Sequence, residues 1–421
     1  MGLILYNFFL FLYQAGARLA GYWSPKASQW VQGRKHVFTD LQSALAQKKY
    51  PLVWMHCASL GEFEQGRPLL DAIRQNYPRY KLLVTFFSPS GYEIRKNYKG
   101  ADIVCYLPMD SAANAKRLLD TIQPDLVLWV KYEYWFYYLR EIKRRNIPLL
   151  LISGTFRDDQ PFFSWYGGLH RRMLGFFTHF FLQTRESAEK LATLHLPAAI
   201  TISGDTRFDR VSDIADIFEP VPPIEAFCGH HPVIVAGSTW PEDEEELDHY
   251  ANTHPDIKIL IAPHEISEDH IRDIEKLFSR SVRFSALLSQ RQREGGAEPS
   301  VLIIDNIGML SKLYYYAHIS YVGGGFGGDG LHNILEPAAH GKPVIFGPNY
   351  EKFPEAGALI DEGGAFTVDN ALELEKLLDK LFGNPELLKT AGVASGKYVA
   401  ANKGATQTIL HYIQENRLLT S

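Results

Sequence analysis

Gly323-Gly324-Gly325-Phe326-Gly327-Gly328-Asp329-Gly330-Leu331-His332-Asn333-Ile334-Leu335-Glu336-Pro337 holds six glycines in its first eight residues. The apolar residues Ile319-Ser320-Tyr321-Val322 before it read as a buried strand, and Asn333 to His340 after it reads as a helix. A strand, a glycine loop and a helix start make an anion seat. Glycine lets backbone N–H groups come close to an oxygen, and a helix N-terminus adds partial positive charge. The pattern points to a bound phosphate, with Glu336 one turn into the helix to accept hydrogen bonds from a ribose. The alternative is a plain tight turn; the glycine density, the His-Asn pair and the in-phase Glu favour the seat. The spacing is not the dinucleotide fingerprint, because no strand-terminal acid follows at the expected distance.

Outward from that loop the chain alternates short apolar strands with helices. Strands are expected at Leu52–Ala58, Lys81–Phe87, Ile103–Tyr106, Leu126–Val130, Pro148–Ser153, Thr178–Gln183 and Ala199–Ser203. A Pro- and acid-rich linker, Asp213–Pro223, breaks the rhythm. It resumes at Val233–Ala236, Ile257–Ala262, Val301–Ile304, Ile319–Val322, Pro343–Phe346 and Gly364–Val368. This is the pattern of parallel sheets covered on both faces. The expected fold class is α/β: two Rossmann-like domains facing across a cleft, with ligands at the C-terminal strand ends. A polar, mobile loop is expected over Arg291–Pro299, and helices close the chain near Leu372–Phe382 and Ala400–Arg417.

The 421 residues fit two domains. Three cysteines, Cys57, Cys105 and Cys228, lie far apart with no CxxC pair, which gives neither a metal knuckle nor a disulfide framework. Net charge is −5, but residues 1–206 carry +9 and the remainder −14. A basic first half suits an anionic partner. Its basic residues are scattered and no groove-reading motif is present, so a membrane surface is expected rather than nucleic acid. Met1 to Ala17 is uncharged and rich in Phe and Leu, and Arg18, Lys26, Arg34 and Lys35 follow. Positive charge after the apolar core is the reverse of a signal peptide. A shallow monotopic anchor is expected, with a core helix and a true span as alternatives.

The strand ends carry the other candidates. Leu52–Ala58 runs into Ser59-Leu60-Gly61-Glu62, which puts Glu62 at a helix start, either as a general base facing the cleft or as an ordinary first-turn acid. Ser88, Ser90 and Gly91 end the next strand, where the serines alternatively cap a helix. Ala236-Gly237-Ser238-Thr239 and Pro263-His264-Glu265 end the first two strands of the second half.

These residues together resemble the 3-deoxy-D-manno-octulosonic acid (Kdo) transferases of lipopolysaccharide assembly, over nearly the whole chain. The resemblance rests on Ser59-Leu60-Gly61-Glu62, the Thr85 to Gly91 run, Tyr106-Leu107-Pro108-Met109-Asp110, and Glu133 with Trp135. It continues through Gly204-Asp205-Thr206-Arg207-Phe208-Asp209, Gly237-Ser238-Thr239, His332-Asn333-Ile334-Leu335-Glu336-Pro337 and Phe346-Gly347-Pro348. Where the family often has Glu-Thr-Glu-x-Trp-Pro-Asn, this chain reads Lys131-Tyr132-Glu133-Tyr134-Trp135-Phe136-Tyr137. Where it often has Arg-His after Ala-Pro, the chain reads His264-Glu265. The departures mark a divergent subgroup.

The resemblance implies a GT-B fold and inverting, metal-independent transfer of Kdo from CMP-Kdo to a lipid A precursor at the cytoplasmic face of the inner membrane, without a cofactor. It implies catalytic residues Glu62 and Glu133. Substrate-binding residues are expected at Ser59, Gly61, Ser88, Ser90, Gly91, Ser238, Thr239, Pro263, His264, Gly324, Gly325, Phe326, Gly327, Gly328, His332, Asn333 and Glu336. The corresponding organisation is a membrane segment at 1–35, an acceptor domain at 36–210, a linker at 211–225, a CMP-Kdo domain at 226–400, and a C-terminal helix at 401–421 returning to the first domain. The rival readings are a lipid-linked sugar transferase that uses a UDP-sugar, a sugar-nucleotide epimerase, and a non-catalytic nucleotide-sugar binder.

Overall fold

A computed structural model describes residues 2–45, 50–289, 298–328 and 330–420. The loop expected over Arg291–Pro299 falls, as far as residue 297, outside the described residues, as does Asp329. The chain forms two compact units, Met1–Arg210 with Gly404–Ser421, and Val211–Lys403.

The first unit opens with three helices, α1 (Gly2–Ala20), α2 (Pro25–Gln32) and α3 (Val37–Leu45). A seven-stranded parallel sheet follows: β1 (Leu52–Cys57), β2 (Lys81–Phe86), β3 (Ile103–Tyr106), β4 (Leu126–Val130), β5 (Leu149–Gly154), β6 (His179–Leu182) and β7 (Ala199–Ile202). Their spatial order is β3-β2-β1-β4-β5-β6-β7. Strands β1, β2, β4, β5 and β6 are mostly apolar and buried because helices cover both faces. Along β1, Leu52 and Trp54 enter one core, while Val53, Met55 and Cys57 enter the other. Helix α4 (Leu60–Asn76) follows β1, and α5 (Pro89–Arg95) follows β2.

The C-terminal helix Ala405–Glu415 sends Ile409, Leu410 and Ile413 into the β1 core of this first unit. Asp209 secures its start, accepting from the amides of Gly404 (2.6 Å) and Thr406 (2.7 Å).

The second unit repeats the plan with β8 (Val233–Thr239), β9 (Lys258–Pro263), β10 (Ser281–Arg283), β11 (Val301–Ile303), β12 (Ile319–Val322), β13 (Val344–Phe346) and β14 (Ala365–Thr367). The order is β10-β11-β9-β8-β12-β13-β14, all parallel. Strand β10 adds an edge that the apolar pattern does not announce, because only three residues pair and two of them are polar.

Two expectations are corrected. The stretch 211–225 is mostly helical: Thr206–Asp216 is one helix and Pro222–Cys228 another. Pro222 and Pro223 open the second helix, where a missing N–H costs nothing, so they start it rather than break the chain. The helix expected over Asn333–His340 spans only Leu335–Ala339. The Asn333 side chain accepts from the Leu335 amide at 3.1 Å, a turn that delays the helix by two residues.

Candidate active site

In a doubly wound sheet, ligands gather where neighbouring connections run in opposite directions, outside the carboxyl ends of the strands. In the first unit that point lies between β1 and β4, and in the second between β8 and β12. The sequence candidates cluster at these two points. A non-glycine residue with left-handed backbone sits at each, Lys131 (φ 56°) after β4 and Ser238 (φ 54°) at the end of β8. Such strain is often stored at functional sites.

At the first point, Ser59 caps α4 and Glu62 is its third residue, 8 % exposed. The Ser59 hydroxyl faces the Glu62 amide at 3.5 Å, and the Glu62 carboxylate accepts from the Ala58 amide. Glu62 is therefore both cap partner and buried acid. Burial pushes its pKa up from 4.5 to about 7, the Ala58 hydrogen bond opposes this, and the charge of Glu133 adds to the rise. Lys131 and the Tyr132 amide pull in the lowering direction.

Glu133 hangs from the segment after β4 and is held on several sides. His56 Nε2 lies 3.1 Å from Oε2, Trp135 Nε1 donates to the same oxygen at 2.9 Å, and Trp129 Nε1 donates to the Glu133 carbonyl. The imidazole is fully buried, and its Nδ1 meets Thr85 Oγ1 at 2.9 Å. Thr85 Oγ1 already accepts from Trp54 Nε1 at 2.8 Å, so its own proton is free for Nδ1. That direction leaves the imidazole proton on Nε2, facing Glu133. A polar chain thus runs Trp54–Thr85–His56–Glu133–Trp135, fully buried at Trp54, Thr85 and His56 and half-buried at Glu133 and Trp135. His56 and Thr85 are partners in the sheet register, and His56 pairs with Trp129 on the other side.

The remaining first-unit candidates have distinct places. The Ser88 hydroxyl caps α5 and lies 2.9 Å from that of Ser90. The Ser88 amide donates to the Ala58 carbonyl at 2.7 Å, next to Glu62. Gly61 is exposed, with open space where a Cβ would stand. Gly91 serves packing, since a Cβ there would lie 2.2 Å from the Phe86 ring.

At the second point, the glycine loop leaves β12 and is braced from below. Asp243 Oδ2 accepts from the amides of Gly324 and Trp240, both at 2.9 Å, and Oδ1 accepts from Tyr321 at 2.8 Å. The Gly324 amide is therefore engaged within the protein. Among the described residues, the amides of Gly325, Phe326, Gly327 and Gly328 donate to no protein acceptor. Gly325 packs on Gly347, where a Cβ would meet backbone at 2.5 Å. The Thr239 hydroxyl is buried and donates to Glu244 at 2.8 Å, which leaves Ser238 as the accessible hydroxyl of that strand end. Asn333 Nδ2 donates to Glu336 Oε1 at 3.1 Å. His264 follows buried Pro263 and stacks on His332 at 4.3 Å and on Trp240 at 4.7 Å, giving a flat aromatic platform. With a helix of five residues after the loop, the anion-binding capacity lies in the loop amides rather than in a helix dipole. Among the described residues no group of three or more His, Cys, Asp or Glu could hold a metal ion.

Two Rossmann-like units in one chain, each a seven-stranded parallel sheet with polar groups gathered at its switch point, define the GT-B fold. The fold likeness is direct: the UDP-GlcNAc 2-epimerase from Neisseria meningitidis, solved with UDP-GlcNAc, matches with a TM-score of 0.63 and 17% identity over 86% of this chain and 100% of that one. Residues 32–210 match the family model of 3-deoxy-D-manno-octulosonic-acid transferases. Curated relatives extend the similarity across both units. The 3-deoxy-D-manno-octulosonic acid transferase of Haemophilus influenzae is 25% identical over 86% of this chain and 86% of its own. That of Aquifex aeolicus is 26% identical over 80% of this chain and 88% of its own.

Proposed function

We propose that the protein transfers Kdo from CMP-Kdo to a lipid A precursor with inversion at C2, with Glu62 as general base and no metal in the transfer step. The observation that carries this is the buried Glu62 carboxyl, poised near neutral pH at the switch point of the unit that matches the Kdo transferase family. A base with a pKa near the working pH combines an adequate ionised fraction with driving force for proton transfer. Glu62 takes the proton of an acceptor hydroxyl while that oxygen forms a bond to C2. The C2–O bond to CMP breaks on the opposite face, and its electron pair leaves with the phosphate. Glu133, fixed by His56 and Trp135, orients the acceptor and keeps the neighbouring Glu62 basic.

The amides of Gly325 to Gly328 bind the CMP phosphate, where charge develops during departure. Asn333 and Glu336 receive the ribose, and the Trp240–His264–His332 platform supports the base. Helix α1 sets the protein on the inner membrane. It is long and apolar enough to cross a bilayer, yet Leu10 is buried, the Tyr6 hydroxyl donates to Asp110 at 2.7 Å, and Tyr137 donates to Asn7 at 2.7 Å. One face is thus committed to the first unit, while Ile4, Leu5, Phe8 and Phe11 are exposed, which suits a helix lying in the interface.

The test is incubation of purified protein with CMP-Kdo and a tetra-acylated lipid A precursor, followed by mass measurement of the lipid. A product heavier by one or more Kdo residues is expected. No product from CMP-Kdo, with tighter binding of UDP than CMP, would move the protein to the rival class.

A further inference from the structure

The first amides of a helix have no partner inside it and are usually taken up by an oxygen-bearing side chain at the cap. The helix Phe136–Arg144, which begins three residues after Glu133, has Trp135 at its cap and no hydrogen bond from that side chain to its amides. Its cap comes from elsewhere in the chain. Asp110 Oδ2 accepts from the Tyr137 amide at 3.0 Å, and Oδ1 accepts from the Tyr138 amide at 3.1 Å. The Tyr6 hydroxyl of α1 accepts from the Phe136 amide at 3.2 Å and donates to Asp110 Oδ2 at 2.7 Å. A Tyr–Asp pair thus satisfies three orphan amides, and one member of that pair belongs to the exposed N-terminal helix.

The pair is built into the interior. Asp110 is 2 % exposed, and Phe136 and Tyr138 are fully buried. Burial pushes the Asp110 pKa up to about 6, and the Tyr6 hydrogen bond heads the contacts that pull it back down. Losing the hydroxyl leaves the Phe136 amide a buried donor without that partner. Further ties surround it: Tyr137 donates to Asn7 at 2.7 Å, and the Tyr6 ring lies 6.3 Å from those of Phe136 and Tyr137. A helix that served only to dip into a bilayer needs no hydrogen bond to a buried carboxylate.

The cap is two links from the carboxylates. Trp135 is fixed by the helix start, where its carbonyl accepts from the Leu139 amide at 3.0 Å. Its Nε1 in turn donates to Glu133 Oε2 at 2.9 Å. The charges acting on Glu62 include Glu133 and Lys131, both from the short segment that leads into this helix. A looser helix start releases Trp135, then Glu133, and so changes the field at Glu62.

We propose that Tyr6 is a positioning residue of the transfer site: its hydroxyl completes the cap of the helix Phe136–Arg144 and, through Trp135, fixes the Glu133 carboxylate. Helix α1 is then part of the catalytic scaffold as well as the membrane contact. This rests on the transfer reaction proposed above and names what holds its second carboxylate in place.

The test is Tyr6→Phe, which keeps the ring and removes the hydroxyl. The acceptor is dispersed in detergent, so that anchoring to a bilayer contributes nothing to the rate. Turnover should fall severalfold to roughly tenfold, as for losing one buried hydrogen bond. The acid limb of kcat/KM should move to lower pH, since a displaced Glu133 charge raises the Glu62 pKa less. Binding to anionic phospholipid vesicles should match wild type, because the exposed apolar face of α1 is untouched. An unchanged kcat and an unmoved limb would make α1 an anchor only and overturn the proposal. In a Trp135→Phe background, Tyr6→Phe should move the limb no further; an additive shift would overturn the route through Trp135. Asn7→Ala cuts a tie of α1 outside the cap and should leave the limb in place. An equal shift there would transfer the effect from the hydroxyl to the seat of α1 in general, against the proposal. A readout without turnover separates this inference from the transfer reaction itself. The stability gap between Glu62→Gln and its parent should level off at a lower pH in a Tyr6→Phe background than in wild type. A gap that levels off at the same pH in both refutes the positioning role whether or not Kdo is transferred.

Discussion

Replacing Glu62 by Gln should make the protein less active and more stable, with the stability gain present on only one side of a pH window. The folded-state pKa is about 7 against 4.5 for an ordinary glutamate. At about 1.4 kcal/mol per pH unit, that gap is about 3 kcal/mol. The sign follows from proton counting. Between pH 4.5 and 7 the folded chain holds a proton that the unfolded chain has released, so rising pH favours unfolding through this window. Above pH 7 the loss is complete. Glutamine keeps an oxygen for the Ala58 amide and carries no charge, so its contribution is flat. The stability advantage of the variant should grow by about 2–3 kcal/mol between pH 4.5 and 8. Urea unfolding followed by tryptophan fluorescence reads this, because six of the seven tryptophans lie in the first unit. The same variant should lose roughly 10²–10⁴ in turnover at saturating CMP-Kdo, the range for a general base. If the two stability profiles run parallel from pH 4.5 to 8, the burial argument is wrong. If turnover survives, Glu62 is not the base.

The neighbouring sites give further expectations. Glu133→Gln removes a charge that raises the Glu62 pKa, so the acid limb of kcat/KM, near pH 7 in wild type, should move to lower pH; a limb that stays in place or moves up would disconnect the carboxylates. Gly324→Ala places a Cβ 2.3 Å from the Gly330 carbonyl at a φ of 89°, so the loop must shift. CMP affinity by calorimetry should fall by roughly tenfold or more, and retained affinity would take the loop out of phosphate binding.

Much of this site is legible in the chain because its signals are local. A run of glycines, an acid in the first turn of a helix and hydroxyls after apolar strands are all short-range patterns. His56 is different. A lone histidine inside Val53-Trp54-Met55-His56-Cys57 reads as core, and nothing nearby in sequence identifies its partners. Thr85 lies 29 positions away and Glu133 lies 77, and both meet His56 only through parallel pairing. Lys131 is equally silent until β4 lies beside β1. The glycine loop is legible as a loop, but its bracing by Asp243 is not, since that contact spans 81 residues. The helix after the loop starts later than its apolar pattern implies because Asn333 forms its own turn, a side-chain choice that periodicity does not register.

By itself, then, the amino-acid order determined what each segment becomes: fourteen short apolar strands less one polar edge, the helices between them, an uncharged greasy start, and glycines where a loop must bend. These follow from backbone sterics and from the period at which apolar side chains recur. Which segments become neighbours was decided only in three dimensions. That placement put Glu133 beside Glu62 and buried the Glu62 carboxyl next to β1. A carboxyl is poised near neutral pH by low dielectric and a nearby like charge, and both are properties of surroundings that no linear pattern contains.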